Sequence, residues 1–301
     1  MKQIVAIQNG LGNQMFDYAF YLALKRIYPK ARITTYLFAR RCDHNGLEID
    51  KIFSLPLSEQ IRDRILMRIY RKLYYLSKKQ TFKGIFGRYI LKLLYNLHMG
   101  LCMEKPEIPY QGAQSYIWNR KYKVFWGGWM SEKWFLPIKE EIRKCFSFDL
   151  QKLSPKSAKL LEELSQTETN SISIHVRRGD YLKNPQYFDI CNTVYYRKAI
   201  GLIKEKTDNA RFYVFSDDIQ WVKENLELPQ NTVYVNWNMK TDSWQDMCLM
   251  SHCRHHIIAN STFSWWGAWL NKNEKKIVIC PKMFSRTENL VNVMPDEWIK
   301  I

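Results

Sequence analysis

The sequence has no Cys-x-x-Cys pair. Its seven cysteines, Cys42, Cys102, Cys145, Cys191, Cys248, Cys253 and Cys280, are odd in number and widely scattered. That argues against a disulfide framework and for free thiols in a reducing cytosol. No apolar run reaches about eighteen uncharged residues, so no membrane-spanning helix is expected. The opening MKQIVAIQNGLGNQ has too short an apolar stretch for a secretory signal, and the expected place is the cytoplasm. There is no P-loop and no Asp-x-Asp of the kind that holds a divalent ion against a nucleotide sugar. Acid is also scarce: 29 Asp and Glu stand against 46 Lys and Arg, a formal net charge of +17.

About half of that excess lies in one place. Between Ile61 and Lys105 eleven cations meet only Asp63 and Glu104, a net +9. Apolar residues recur among them at spacings of three and four (Ile65, Leu66, Ile69, Leu73, Leu76, then Ile85, Ile90, Leu93 and Leu94), which predicts one or two basic amphipathic helices. Such helices suit peripheral contact with an anionic membrane, here its cytoplasmic face. They equally suit a solvated face over a local core. No nucleic-acid module accompanies the charge, so nucleic acid is not expected as a partner.

What the sequence does have is a βα rhythm. IVAI reads as a short strand and QNGLG as a turn. NQMFDYAFYLALKRIY reads as a helix with Met15, Tyr18, Ala19, Leu22 and Ala23 on one face. GLGNQM is not the dinucleotide fingerprint, because Met15 stands where a third glycine belongs and Arg32, not an acid, follows about twenty residues on. A nicotinamide or flavin cofactor is therefore excluded. Residues 113 to 136 are dense in aromatics, and 147 to 159 read as a polar crossing. After it SISIHV, RFYVFSDD, NTVYVNW, HHIIAN and KIVICP alternate with helical stretches, as in a second α/β domain with a parallel sheet. The expected boundaries are 1–150, including a basic helical insertion at 58–105, and 151–301. Two Rossmann-like domains of this kind would face each other across a cleft.

In open α/β sheets ligands bind at the carboxyl ends of the strands. Three strand ends of the second domain carry polar cargo: His175, Arg177, Arg178, Gly179 and Asp180; Ser216, Asp217 and Asp218; and Asn260, Ser261, Thr262 and Ser264 ahead of an aromatic helix. Small hydroxyl and amide residues before a helix cap it and leave backbone N–H groups available to phosphate. Arginines converging there would neutralise a diphosphate through bidentate hydrogen bonds, and Asp217 or Asp218 could accept from the edge of guanine. A nucleoside diphosphate bound without metal is the reading; helix caps and a buried ion pair are the plainer alternative. Arg178, Gly179 and Asp180 spell RGD, taken here as coincidence. Cys248, His252, Cys253, His255 and His256 crowd together at spacings that match no standard zinc site.

HVRRGDY, FSDD and ANSTFSWWGAWL, with NGLGNQMFDYAF and GGWMSEKWF, resemble the signature segments of the α-1,2-fucosyltransferases of glycosyltransferase family 11, over residues 4 to about 282. HxRRxD recurs in α-1,6- and protein O-fucosyltransferases; ANSTFSWW narrows the likeness. The resemblance implies an α/β architecture of GT-B type, with GDP-β-L-fucose as donor, no cofactor and no required metal. It implies inverting transfer to the 2-hydroxyl of a galactose-terminated oligosaccharide. It also implies that Arg177 holds the donor's β-phosphate, with Arg178, Asp180 and His175 in the same motif and Ser261, Thr262 and Ser264 along the phosphates. Gly10, Gly12, Asn13 and Gln14 match the turn that reaches in from the acceptor domain. Asp17 and Met130 depart from the glutamines more usual there, which bears on acceptor choice. Candidates for the base that takes the acceptor proton are Asp17, Glu132 and Asp180, and the residues do not choose among them. The rival readings are another nucleotide-sugar-dependent transferase, or a basic membrane- or nucleic-acid-binding protein without catalysis.

Overall fold

A computed structural model describes residues 2–39, 44–57, 59–166 and 169–301; Cys42 and the first residue of the 58–105 insertion lie outside them. The chain divides into two compact units, Met1–Cys145 and Phe146–Ile301. Each is built on a parallel sheet, the α/β architecture expected of two Rossmann-like domains.

The first unit runs β1 (Ile4–Ala6), α1 (Leu11–Ile27), β2 (Arg32–Thr34), α2 (Ile49–Phe53), α3 (Ile61–Ser77), α4 (Phe82–Asn96), β3 (Gly100–Met103), α5 (Tyr110–Ile117), β4 (Tyr122–Trp126) and α6 (Lys139–Cys145). Its strands lie in the order β2-β1-β4-β3, all parallel. Helix α1 is buried on nearly every side. Phe16, Phe20 and Leu24 are fully enclosed with Met15 and Ala19, whereas Leu22, expected on the core face, is half-buried. The reason is the aromatic segment that follows β4: Phe20 stacks on Trp129 at 4.0 Å between ring centroids and meets Trp134 edge-on. A second apolar layer is thereby laid on what would otherwise be the helix's outer side. The basic segment forms the hairpin α3–α4, whose inner residues Met67 and Tyr70 pack with Val124 and Trp126. Arg32 on β2 pairs with Asp63 of α3 at 3.1 Å, both buried.

The second unit runs α7 (Pro155–Gln166), β5 (Asn170–Val176), α8 (Thr193–Lys206), β6 (Ala210–Ser216), α9 (Ile219–Asn225), β7 (Val233–Val235), α10 (Trp244–His252), β8 (His255–Ile257), α11 (Thr262–Leu270), β9 (Val278–Cys280) and β10 (Ile299–Lys300). The strand order is β7-β6-β5-β8-β9-β10, again all parallel. Strand β5 is buried on both faces, as a central parallel strand must be. Its alternating serines are satisfied inside: Ser173 Oγ lies 2.8 Å from His256 Nδ1, and Ser171 Oγ accepts from the Arg254 N–H. His256 Nε2 meets the Asn271 side chain, and His255 Nδ1 accepts from the Ile277 N–H. His255 and His256 of the Cys/His cluster are thus strand ties, His252 bonds within α10 to the Cys248 carbonyl, and among the described residues no group of three or more His, Cys, Asp or Glu is placed to hold a metal.

Candidate active site

In the second unit the strand order reverses between β5 and β8: β6 and β7 lie to one side of β5, β8 to β10 to the other. Crossovers leave the sheet in opposite directions at such a switch point and open a crevice beyond the carboxyl ends of the two strands. The segment after β5 carries Arg177 to Tyr181, the segment after β8 leads into α11, and β6 delivers Asp217 and Asp218 alongside.

The three ends are bonded to one another. Arg177 spans two carboxylates, 2.7 Å to Asp180 and 3.1 Å to Asp217. Arg178 is held through Nε at 3.1 Å from Asp218, its guanidinium 4.0 Å from the Trp221 ring centroid, and its backbone N–H donates to Asp217 at 2.9 Å. Asp218 in turn caps α9 by accepting from the Trp221 N–H. Gly179 is required by closeness: a Cβ there would stand 2.8 Å from Asp217 Oδ2, the atom that meets Arg177. The link to α11 is Tyr181, whose hydroxyl donates to the Asn260 carbonyl at 3.1 Å while its ring stacks on Tyr187. The Arg177 guanidinium lies 5.7 Å from the Tyr181 ring centroid.

At the start of α11, Ser261 caps the helix by accepting from the Phe263 N–H. Asn260 and Ser264 are turned inward. Asn260 donates to the Phe284 carbonyl, and the fully enclosed Ser264 hydroxyl donates back to Ser261. These two side chains brace the loop, while Thr262 and the helix's first turn form the more open edge. His175 is enclosed against Phe263, and burial first, with Arg177 second, pulls its pKa down to about 3. The imidazole is therefore neutral at working pH and serves as a packing group behind the arginines. Ser216 turns its hydroxyl to the Asp218 N–H.

The first unit also reverses its strand order, between β1 and β4. There the Gln8 side chain donates to the Gly127 carbonyl and accepts from Trp126 Nε1, both at 2.9 Å. The Gln8 N–H donates to Asp17 at 3.0 Å, and Glu104 accepts from the N–H groups of Gly128 and Trp129. Asp17 is fully enclosed. Burial, reinforced by Glu104 and opposed by the Gln8 hydrogen bond, lifts its carboxyl well above the usual range. Gln14 uses its whole amide internally, donating to the Asn9 and Gly46 carbonyls and accepting from the N–H groups of Glu48 and Ile49. It clamps the turn instead of presenting it. Gly12 is buried, Gly10 and Asn13 are partly exposed, and Glu132 is nearly enclosed.

The glycosyl transferase family 11 model matches residues 115–301, more than half of the chain and all of the second unit. The chain belongs to glycosyltransferase family 11. It is 33% identical to an α-1,2-colitosyltransferase of Escherichia coli, over 100% of this chain and 99% of that one. It is 30% identical to the Escherichia coli O-antigen biosynthesis glycosyltransferase WbnK, over 98% and 99%. With the human galactoside α-(1,2)-fucosyltransferase 1 it shares 29% identity over 45% of this chain and 40% of the other. As a family 11 member the chain is a glycosyltransferase that takes a nucleotide-sugar donor.

Of the expected family 11 site residues, the structure brings Arg177, Arg178, Asp180, Asp217, Asp218 and Ser261 together at one switch point. Gly10, Asn13 and Asp17 lie at or beside the switch point of the other unit. Sequence reasoning did not single out Tyr181, Trp221, Gln8 and Glu104. The first two are aromatics within a few residues of charged strand ends, and an arginine needing a stacking partner was the available signal. Gln8 and Glu104 had none, since the hydrogen-bond partners of their side chains at this turn lie more than twenty residues away.

Proposed function

We propose that this family 11 enzyme transfers L-fucose from GDP-β-L-fucose to the 2-hydroxyl of a terminal galactose, with inversion and without a metal ion. The observation that carries the reading is the convergence of Arg177, Asp217, Asp218 and the capped start of α11 at the β5/β8 switch point. Transfer builds negative charge on departing GDP while the sugar becomes oxocarbenium-like, and a preorganised cation at the β-phosphate lowers that barrier. Arg177 is the group for this role, with the first turn of α11 assisting. Before the donor arrives its charge is balanced by Asp180 and Asp217, so binding exchanges carboxylate partners for phosphate oxygens. Arg178, fixed by Asp218 and Trp221, holds the frame. Asp180, ion-paired with Arg177 yet half-exposed, is a base only when the donor has drawn Arg177 away. The fully buried Asp17 reaches no acceptor in this conformation.

A second reading is favoured by the full-length identity to a colitosyltransferase: the same reaction with colitose, which lacks the 3-hydroxyl of fucose. A site that hydrogen-bonds that hydroxyl rejects the deoxy sugar by about 10⁴-fold or more, whereas an apolar site discriminates weakly. The test is turnover with GDP-fucose, GDP-colitose and a panel of other nucleotide sugars on β-galactosides, in EDTA, with NMR of the product linkage. An α-1,2-fucosyl product supports the first reading and an α-1,2-colitosyl product the second. Turnover only with a donor of another base or sugar class, or only after divalent ion is restored, overturns both.

A further inference from the structure

The hairpin of α3 and α4 has an inner face accounted for by the first unit's core and an outer face that is exposed among the described residues of that unit. On α4 the exposed large apolar residues are Phe82, Ile85, Phe86, Tyr89 and Leu93, with Phe82 82% and Tyr89 64% exposed. At one turn per 3.6 residues these five fall within an arc of about 100°, opposite Gly84, Gly87 and Leu91, which face α3 and the core. Lys83 borders the arc on one side and Lys92 on the other, and the connecting turn adds Lys78 and Lys79. All four lysines are on the surface. This is the section of a helix lying in a bilayer interface, with an apolar sector between flanking cations.

The charge of the hairpin is not neutralised from within. Its one acid, Asp63, is buried, paired with Arg32 and bonded to the Gln60 N–H at the start of α3. Arg64 has Glu59. The remaining nine cations from Arg62 to Lys92 have no acid on the hairpin facing outward with them. Helix α3 also walls a pocket of about 480 Å³ with Arg62, Ile65 and Ile69, into which the first unit adds Lys2 and Lys123. Lys123 is depressed by burial first, with Asp63 opposing and Arg32, Arg62 and Lys2 adding smaller downward pushes. Like charge set against like charge disfavours a second copy of this face as occupant. An apolar sector centred on Phe82, Phe86 and Leu93 with cations at its margins is the reverse of a phosphate-tracking groove, where cations line the centre.

We propose that the α3–α4 hairpin docks this enzyme on an anionic lipid bilayer, with the apolar arc of α4 seated at the acyl boundary and the surrounding lysines and arginines on lipid phosphates. The test is flotation of the full chain with vesicles of phosphatidylcholine alone and of phosphatidylcholine mixed with phosphatidylglycerol. Two variants accompany it, Lys79→Gln/Lys83→Gln/Lys92→Gln and Phe82→Ser/Phe86→Ser, with far-UV circular dichroism and Tm to show that both remain folded. All changed residues are exposed and none belongs to the candidate active site. The wild type is expected to float with the mixed vesicles only, and less so in high salt. Neutralising three cations is expected to weaken vesicle affinity on the order of a hundredfold, and the serine variant should lose binding although its charge is unchanged. The proposal is overturned by equal flotation with both vesicle types, by no flotation, or by folded variants that float like the wild type. It is also overturned by a dimer that the serine variant alone dissolves, or by salt-sensitive capture of an oligonucleotide in place of vesicles.

Discussion

Arg177 is held by two carboxylates at once, which fixes its guanidinium beyond the carboxyl end of β5. Replacing Arg177 with alanine should lower kcat by about a hundredfold or more, as loss of one preorganised donor does elsewhere; steady-state rates with a saturating donor read this directly. Gly179→Ala tests the neighbouring packing: its new methyl would collide with the Asp217 oxygen that meets Arg177. A several-fold weaker affinity for GDP is expected by calorimetry, with Tm nearly unchanged. His175 carries a pH signature. Its folded pKa is about 3 against an ordinary 6.5, lowered chiefly by burial. The native state keeps it neutral while the unfolded chain takes up a proton below about 6.5, so its contribution is present above that value and is lost as pH falls toward 3. His175→Gln should make the acid side of a Tm-against-pH curve shallower, with His256, also depressed by burial, leaving part of the slope.

At the level of elements, the two switch points were half legible. SISIHV, RFYVFSDD and HHIIAN announce buried strands followed by polar residues, and each became a strand of the second sheet. Strands β2, β3 and β4 did not stand out: RIT, GLCM and YKVFW are too short and too mixed in polarity for a periodicity signal. Their strand character comes from pairing across the sheet. The hairpin α3–α4 was legible as amphipathic helix, but its anchoring was not, because Arg32 and Asp63 are joined only by folding. Asp63→Ala should cost roughly 3–5 kcal/mol in urea unfolding, since it strands a buried guanidinium and removes an N-terminal helix contact. Gly84→Ala should also destabilise, by about 1–3 kcal/mol, because a Cβ there overlaps the Lys79 carbonyl in the turn between the helices.

Across the whole molecule, six of the seven cysteines lie among the described residues and all six are free. Burial pushes Cys191, Cys248 and Cys280 up to about 12 and Cys102 and Cys253 further still. These five thiols should resist iodoacetamide at neutral pH and react at once in urea, which mass spectrometry of the alkylated protein would count. The absence of a disulfide framework thus coincides with two cores large enough to hold the units without one. No helix among the described residues is long and apolar enough to cross a membrane.

Sequence alone determined the alternation of strands and helices, the kinship carried by HVRRGDY and ANSTFSWW, and the concentration of positive charge between residues 61 and 105. These are local properties, written in periodicity and in consecutive residues. Only the tertiary structure decided which charges meet: that Arg177 takes Asp217 as well as its near neighbour Asp180, that Tyr181 reaches Asn260, and that Asp17, Gln14 and Ser264 face inward. Each depends on strand order and on side chains from distant segments competing for the same hydrogen bonds, and a linear pattern does not encode the outcome of that competition.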